Sequence, residues 1–389
     1  MPPKPATPTD VFRLPISNLQ AKGDYTAIFE IGAHDRPVHL LLDTGSSSLA
    51  INVHDVVSKD LEQTTYLEHL SYGSNPAGFT GPVVNTSLTM TEGDNTPEAG
   101  LATVNVTLIP PAAGQPFGTA DGIMGLAYAP LNTFTDIGIK SAAWAYKAIG
   151  TPTKKETVNL PSYFTHLETT GVVANKFAFY THRSRIHYGT DTPDTDPLNH
   201  GEVVFGAGAE ETDLYEGDFQ AAQIVHDAYY NTHMIAVYVG DQRIEVPDSF
   251  AGTPSNSIID TGTNGIAVPA AVYTQMLAAF AEISPKFRAA ISDTNLVRTA
   301  ADLDGWPDVT VELHGTDAPV RLTIPPQNYW QLNAHEDGSA SFTIFSFSAP
   351  FILGLPLLNG YYTVFDRSAA DGLGVVKFAS IKRPTQATI

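Results

Sequence analysis

The 389-residue sequence contains no cysteine. Disulfides, thiolate metal sites and a cysteine nucleophile are excluded, and a reducing compartment is permitted. Positive charge is scarce: 21 Lys and Arg stand against 41 Asp and Glu, for a net charge of −20. A surface this acidic argues against nucleic acid and anionic membrane as partners. It also fits tolerance of acid, where carboxylates are protonated and few cations remain to repel one another. Long apolar runs are missing as well. The longest candidate, 349–358, holds two prolines and a glycine, and it falls short of the ~20 residues of a membrane span. The opening MPPKPATPTD has no apolar core, so it does not read as a signal peptide. A cytoplasmic home is expected, or a secreted or periplasmic one if a leader has been removed.

What is present points to strands. Hydrophobic residues make up 43% of the chain, with 31 Gly and 28 Pro. Thr, Val, Phe and Tyr recur in short runs between turn residues, which predicts an all-β chain with few helices. Twelve histidines are present, but no His-Glu-x-x-His occurs, and no metal or other cofactor is expected. Asp191, Asp194 and Asp196 are separated by prolines and lack the glycine and terminal glutamate of a calcium loop. They read as an acidic surface loop.

One stretch demands an explanation. In VHLLLDTGSSSLAI (38–51) an apolar run, which reads as a buried strand, ends on Asp43. A buried unpaired charge is costly, so this carboxylate needs a purpose. A second stretch supplies a partner: SNSIIDTGTNGIAV (255–268) ends an apolar pair on Asp260. A lone Asp-Thr-Gly is a common turn, but two copies in the same strand-turn context imply a pair. An apolar-apolar-Gly segment, ending at Gly125 and at Gly354, follows each motif by about eighty to ninety residues. The chain therefore reads as two lobes of similar plan, 11–195 and 196–389. The polar, Pro- and Gly-rich stretch HYGTDTPDTDPLNHG (187–201) lies at the boundary, as a linker or surface loop would.

These motifs, with DGIMGLAY (121–128), VVFGAG (203–208) and FILGLPLLNGYYTVFDR (351–367), resemble those of the pepsin-like aspartic proteases from Tyr25 to Ala379. The missing signal and cysteines, and the roughly ten residues ahead of the first strand-like stretch, look most like the bacterial cytoplasmic homologues. That likeness leads us to expect activity without removal of a prosegment. The resemblance implies a bilobal acid-protease fold with a cleft between the lobes, and aspartic endopeptidase activity at acid pH. It further implies a polypeptide substrate cut between apolar residues, inhibition by pepstatin-type compounds, and a monomer. Two close carboxylates cannot both ionise cheaply, so they share a proton. One then takes a proton from water while the other donates to the carbonyl oxygen. Such pKa values belong to the pair, so neither role is assigned to Asp43 or Asp260.

The neighbours acquire roles from the same resemblance. Gly45 and Gly262 would let backbone approach the carboxylates, with N–H groups donating to them. Thr44 and Thr261 would hydrogen-bond across the lobe junction, and Ser46 and Thr263 would bond the outer carboxylate oxygens. The apolar-Gly segments would pack beside each Asp loop. In LSYGSNPAGFTG (70–81), Tyr72, Gly73 and Ser74 match the lid hairpin, or flap, by context. Phe117, Tyr229 and Tyr230 are candidates for the cleft wall, against simple core packing.

Departures are visible. The tryptophan often found seven residues after the first aspartate is Ala50, so its usual hydrogen bond to the flap tyrosine cannot form. The acidic residue often found after the second apolar-Gly segment is Leu355, which predicts an altered pH range for the pair. Asn264 and Gly265 replace a small hydroxyl and an apolar residue. The competing reading is a non-catalytic pepsin-like protein that binds peptides or proteins. Intact Asp-Thr-Gly in both lobes favours catalysis. A two-carboxylate glycosidase ranks last, because paired identical motifs offer no separate acid and base environments.

Overall fold

A computed structural model of the chain describes residues 10–32, 36–52, 54, 61–72, 75–92, 96–114, 116–140, 153–348 and 350–383. Strands dominate, as the turn-rich composition predicts. In the first half they run β1 (Phe12–Ala21), β2 (Asp24–Ile31), β3 (Arg36–Asp43), β4 (Leu49–Asn52), β5 (Glu62–Tyr72), β6 (Asn75–Glu92), β7 (Thr96–Ile109) and β8 (Gly122–Gly125).

The apolar run ahead of Asp43 is buried on both faces because β3 is central in its sheet. It is antiparallel to β2 on one side and parallel to β8 on the other. Side chains alternate across a strand. Leu40 and Leu42 enter the main core, while Leu41 joins a smaller cluster with Ala50, Leu70, Phe79, Phe117 and Ile123. The second half repeats the plan. Strand Ser257–Ile259 leads to Asp260 and pairs in parallel with Phe351–Leu353. Strand Ile266–Pro269 lies antiparallel to Phe351–Leu353, as β4 lies antiparallel to β8.

The repeated apolar-Gly segments pack beside the Asp loops, as expected. Leu126 N–H donates to Asp43 O (2.7 Å), and Leu355 N–H donates to Thr263 O (2.9 Å). Contact is so close that a Cβ at Gly125 would sit 2.5 Å from Ser47 backbone, and one at Gly354 would sit 2.0 Å from Thr263 O. No side chain fits at either position.

One continuous sheet joins the halves. Among the described residues β1 pairs with His200–Phe205, which pairs with Lys176–Tyr180, then Tyr361–Asp366, then Val375–Ile381. Asp43 ends a strand of this sheet, whereas Asp260 follows a strand of a separate sheet, and the cleft of the bilobal molecule takes its walls from both. Stacked rings consolidate the joining sheet, with Phe177 and Phe365 at 4.9 Å and 15°. The 187–201 stretch runs along the surface, as expected, but is anchored at its end. Leu198 and Asn199 are buried, and Asp196, read from sequence as a surface acid, is held by Arg183 Nη1 (3.3 Å) and His187 Nδ1 (2.5 Å). A carboxylate between two cationic-capable side chains is satisfied where a solvated one needs no partner. Asp191 and Asp194 are exposed as expected.

Candidate active site

Asp43 and Asp260 meet at the floor of a cleft of about 890 Å³. Each follows its strand into a tight turn in which the glycine two residues on donates back to the carboxyl. Gly45 N–H reaches Asp43 Oδ1 at 2.7 Å, and Gly262 N–H reaches Asp260 Oδ1 at 2.8 Å. Each glycine also faces the opposite carboxyl. A Cβ at Gly45 would lie 2.6 Å from the Asp260 carboxyl carbon, and one at Gly262 would lie 2.4 Å from Asp43 Oδ1. Both carboxyls are nearly closed off from solvent. Burial first, then the charge and hydrogen bond of Asp260, push the Asp43 carboxyl well above the usual carboxylate range. This is the behaviour of two acids sharing one proton.

The two threonines interlock. Thr44 Oγ1 donates to Ile259 O (3.0 Å) and accepts from Thr261 N–H (2.9 Å). Thr261 Oγ1 donates to Leu42 O (2.7 Å) and accepts from Thr44 N–H (3.0 Å). Four buried backbone groups are thereby satisfied by the other half's hydroxyl.

Thr263 Oγ1 donates to Asp260 Oδ2 at 2.7 Å, as expected. Ser46 lies beside the first carboxyl: its hydroxyl favours the ionised forms of both Asp43 and Tyr72, although its buried Oγ does not meet strict hydrogen-bonding geometry with either.

Tyr72 ends β5 and lines the cleft with both aspartates. Its ring meets Phe117 edge to face at 5.1 Å. Ala50 lies fully buried in the cluster against which Tyr72 packs, so the phenol has no tryptophan to bond, and its Oη is buried without a partner. Burial, then the charges of Asp43 and Glu68, hold that phenol well above its ordinary range. Gly73 and Ser74 lie outside the described residues. Phe117 and Tyr229 line the cleft. Tyr230 does not: it is core, its Oη donating to Leu126 O at 2.8 Å. Tyr230 opens the strand Tyr230–Thr232 with its ring in the core, while Tyr229 lies in the turn just before it, at the cleft. Leu355, standing where an acid was expected, is fully buried and adds no charge beside the pair. Among the described residues no group of His, Asp and Glu is placed to hold a metal ion.

Two acids escaped the sequence reading. Glu68 on β5 is 2% exposed; Ser48 Oγ donates to its Oε1 at 2.6 Å and Thr107 Oγ1 donates to its Oε2. Burial raises its carboxyl to about 7, against the lowering effect of the two hydroxyls. Strand parity could have found it, since Glu68 shares its face with Leu70 and Tyr72. Asp24, which opens β2, lines the cleft, and its Oδ1 is buried without a partner. Burial, then the Asp260 charge, raise its carboxyl, and Arg185 partly offsets this. Nothing local in the sequence marks Asp24 or Arg185.

Comparison with known proteins agrees with this geometry. The profile of the family described as eukaryotic aspartyl protease matches residues 24–376. Cathepsin D of Dictyostelium discoideum is 25% identical over 91% of this chain and 83% of its own length. A vacuolar aspartic protease of Candida albicans is 26% identical, over 90% and 74% of the two chains. Pepsin-2B of Gadus morhua is 22% identical, over 90% and 94%.

Proposed function

The chain belongs to the eukaryotic aspartyl protease family and is an aspartic endopeptidase, and from that premise we propose that Asp43 and Asp260 are its catalytic pair. The observation that carries this assignment is the mutual approach of the two Asp-Thr-Gly turns, each glycine against the other turn's carboxyl. A water between the carboxyls loses a proton to the ionised one as its oxygen bonds to the scissile carbonyl carbon. The protonated one gives its proton to the carbonyl oxygen. The resulting diol collapses: the C–N bond breaks as one carboxyl protonates the amine nitrogen and the other takes the proton of a diol hydroxyl, which leaves a carboxylic acid and an amine and restores the shared proton. Closing Tyr72 over the cleft would exclude bulk water.

Leu41, Ile123, Ile258, Phe345 and Ile352 among the cleft walls support a preference for apolar residues flanking the cut. The shared proton supports activity at acid pH that fades as both carboxyls ionise. The division into lobes 11–195 and 196–389, with one aspartate from each, belongs to this reading. So does action as a monomer, since one chain supplies the whole site. Pepstatin inhibition is expected, and the cysteine-free composition supports a cytoplasmic home like that of the bacterial homologues. Digestion of an unfolded protein across pH, with and without pepstatin, tests the assignment. Acid-limited cleavage blocked by pepstatin is expected. A maximum above pH 7, or full activity in saturating pepstatin, would overturn it.

A further inference from the structure

A second cavity of about 640 Å³ shares no lining residue with the cleft. Its walls come from both halves of the sequence: segment 182–198, segments 298–300 and 327–333, and Arg383. In a chain of net charge −20, this cavity gathers three guanidiniums, Arg183, Arg298 and Arg383, with the imidazoles of His182 and His187. A single carboxylate lines it, Asp196. That carboxylate is already engaged by Arg183 Nη1, His187 Nδ1 and Leu198 N–H.

Three buried nitrogens on the cavity wall have no partner: Trp330 Nε1, Asn328 Nδ2 and His182 Nδ1. Trp330 is fully buried, and Asn328 and His182 are 3% and 8% exposed. An indole N–H can only donate, and a buried donor left unmade is costly. Arg298 is anchored through Asn295 and the Asp337 carbonyl, yet the lining still carries three guanidiniums against one carboxylate, and unpaired donors beside that excess call for an oxyanion, the group whose geometry matches an arginine fork. The volume exceeds that of a bare ion, and Leu198 and Leu332 give the cavity apolar wall. We propose that this interlobe cavity binds a small organic anion through a carboxylate or phosphate group held by Arg298, Arg383 and Arg183.

The histidines give the site a pH signature. Burial first, then the charges of Arg383 and Arg183, lower His182 to about 4. Burial and Arg183 lower His187 against the pull of Asp196. Both rings are therefore neutral at pH 7, and the arginines carry the positive charge. An anion in the cavity offsets that charge and favours protonated His182. Affinity should rise as pH falls toward 4.

Calorimetric titration of the full chain at constant ionic strength tests the proposal, with citrate and ribose 5-phosphate as organic probes. Sulfate serves as a third probe because its charge does not change between pH 4 and pH 7. Saturable binding of one probe per chain is expected, tighter for sulfate at pH 4 than at pH 7. Arg298→Gln and Arg383→Gln each change an exposed side chain and should each weaken binding about tenfold, the scale of one lost charge-assisted contact. Stronger binding of citrate would assign the site to carboxylates, and stronger binding of ribose 5-phosphate to phosphate esters. No saturable binding of any probe, binding unchanged in both variants, or binding abolished by saturating pepstatin would overturn the proposal.

Discussion

Ser48 Oγ donates a 2.6 Å hydrogen bond to Glu68 Oε1, tying β5 to the loop that carries Asp43. Burial of the Glu68 carboxyl, which outweighs this bond, makes stability depend on pH. The folded chain keeps Glu68 protonated up to about pH 7, whereas the unfolded chain releases that proton near 4.5. The raised folded value means that this stabilisation is full below pH 4.5 and lost as pH rises to 7. The loss amounts to about 3 kcal/mol. Glu68→Gln should flatten this dependence, so that the variant gains on the parent protein between pH 4.5 and 7.5 in thermal unfolding. Parallel pH curves for the two proteins would show that Glu68 does not titrate in that window.

Thr44→Val removes the hydroxyl that satisfies Thr261 N–H and leaves a buried donor orphaned. The expected cost is about 1–3 kcal/mol in denaturant unfolding, while Thr44→Ser keeps the bond and should lose much less. Equal midpoints for all three proteins would mean that the cross-lobe bonds do not support the fold.

Asp24→Asn should move the high-pH limb of kcat/KM to lower pH. An ionised Asp24 disfavours full ionisation of the pair, and removing it leaves the Arg185 guanidinium unbalanced, which acts in the same direction. The check is a pH–rate profile on one apolar-flanked peptide. An upward shift would reverse the sign of the coupling.

Asp43→Asn and Asp260→Asn should each lower kcat by roughly three to four orders of magnitude with circular dichroism unchanged. The double variant should be no worse than either single one, because the two acids form one proton-sharing unit. Near-normal turnover in either single variant would remove that residue from the site.

The parts of this site that were legible in the sequence are those written in short contiguous motifs. Asp-Thr-Gly encodes the strand exit, the backbone donor and the interlocking hydroxyl within three residues, so both turns and their glycine-flanked supports were read correctly. Tyr230 was offered for the cleft only beside the stronger reading of core packing, and core is where it lies. Glu68 was missed because its charge hid an inward strand parity. Asp24 and Arg185 were unreadable in a stronger sense. They meet only because β2 and the segment after Lys176–Tyr180 are brought together by the interlobe sheet, and no local pattern encodes that meeting.

The interlocked threonines also set when the enzyme can first act. Asp43 and Thr44 leave the ribosome long before Thr261, and the sheet that joins the halves is finished only when Val375–Ile381 is added. Until Asp260 and Thr261 are made, the growing chain holds one carboxyl and a loop whose hydroxyl and N–H have no mate. Protein synthesis therefore works as a safety catch. A chain that ends before Asp260 carries half of the pair and no mate for Thr44, and so stays unarmed without any inhibitor.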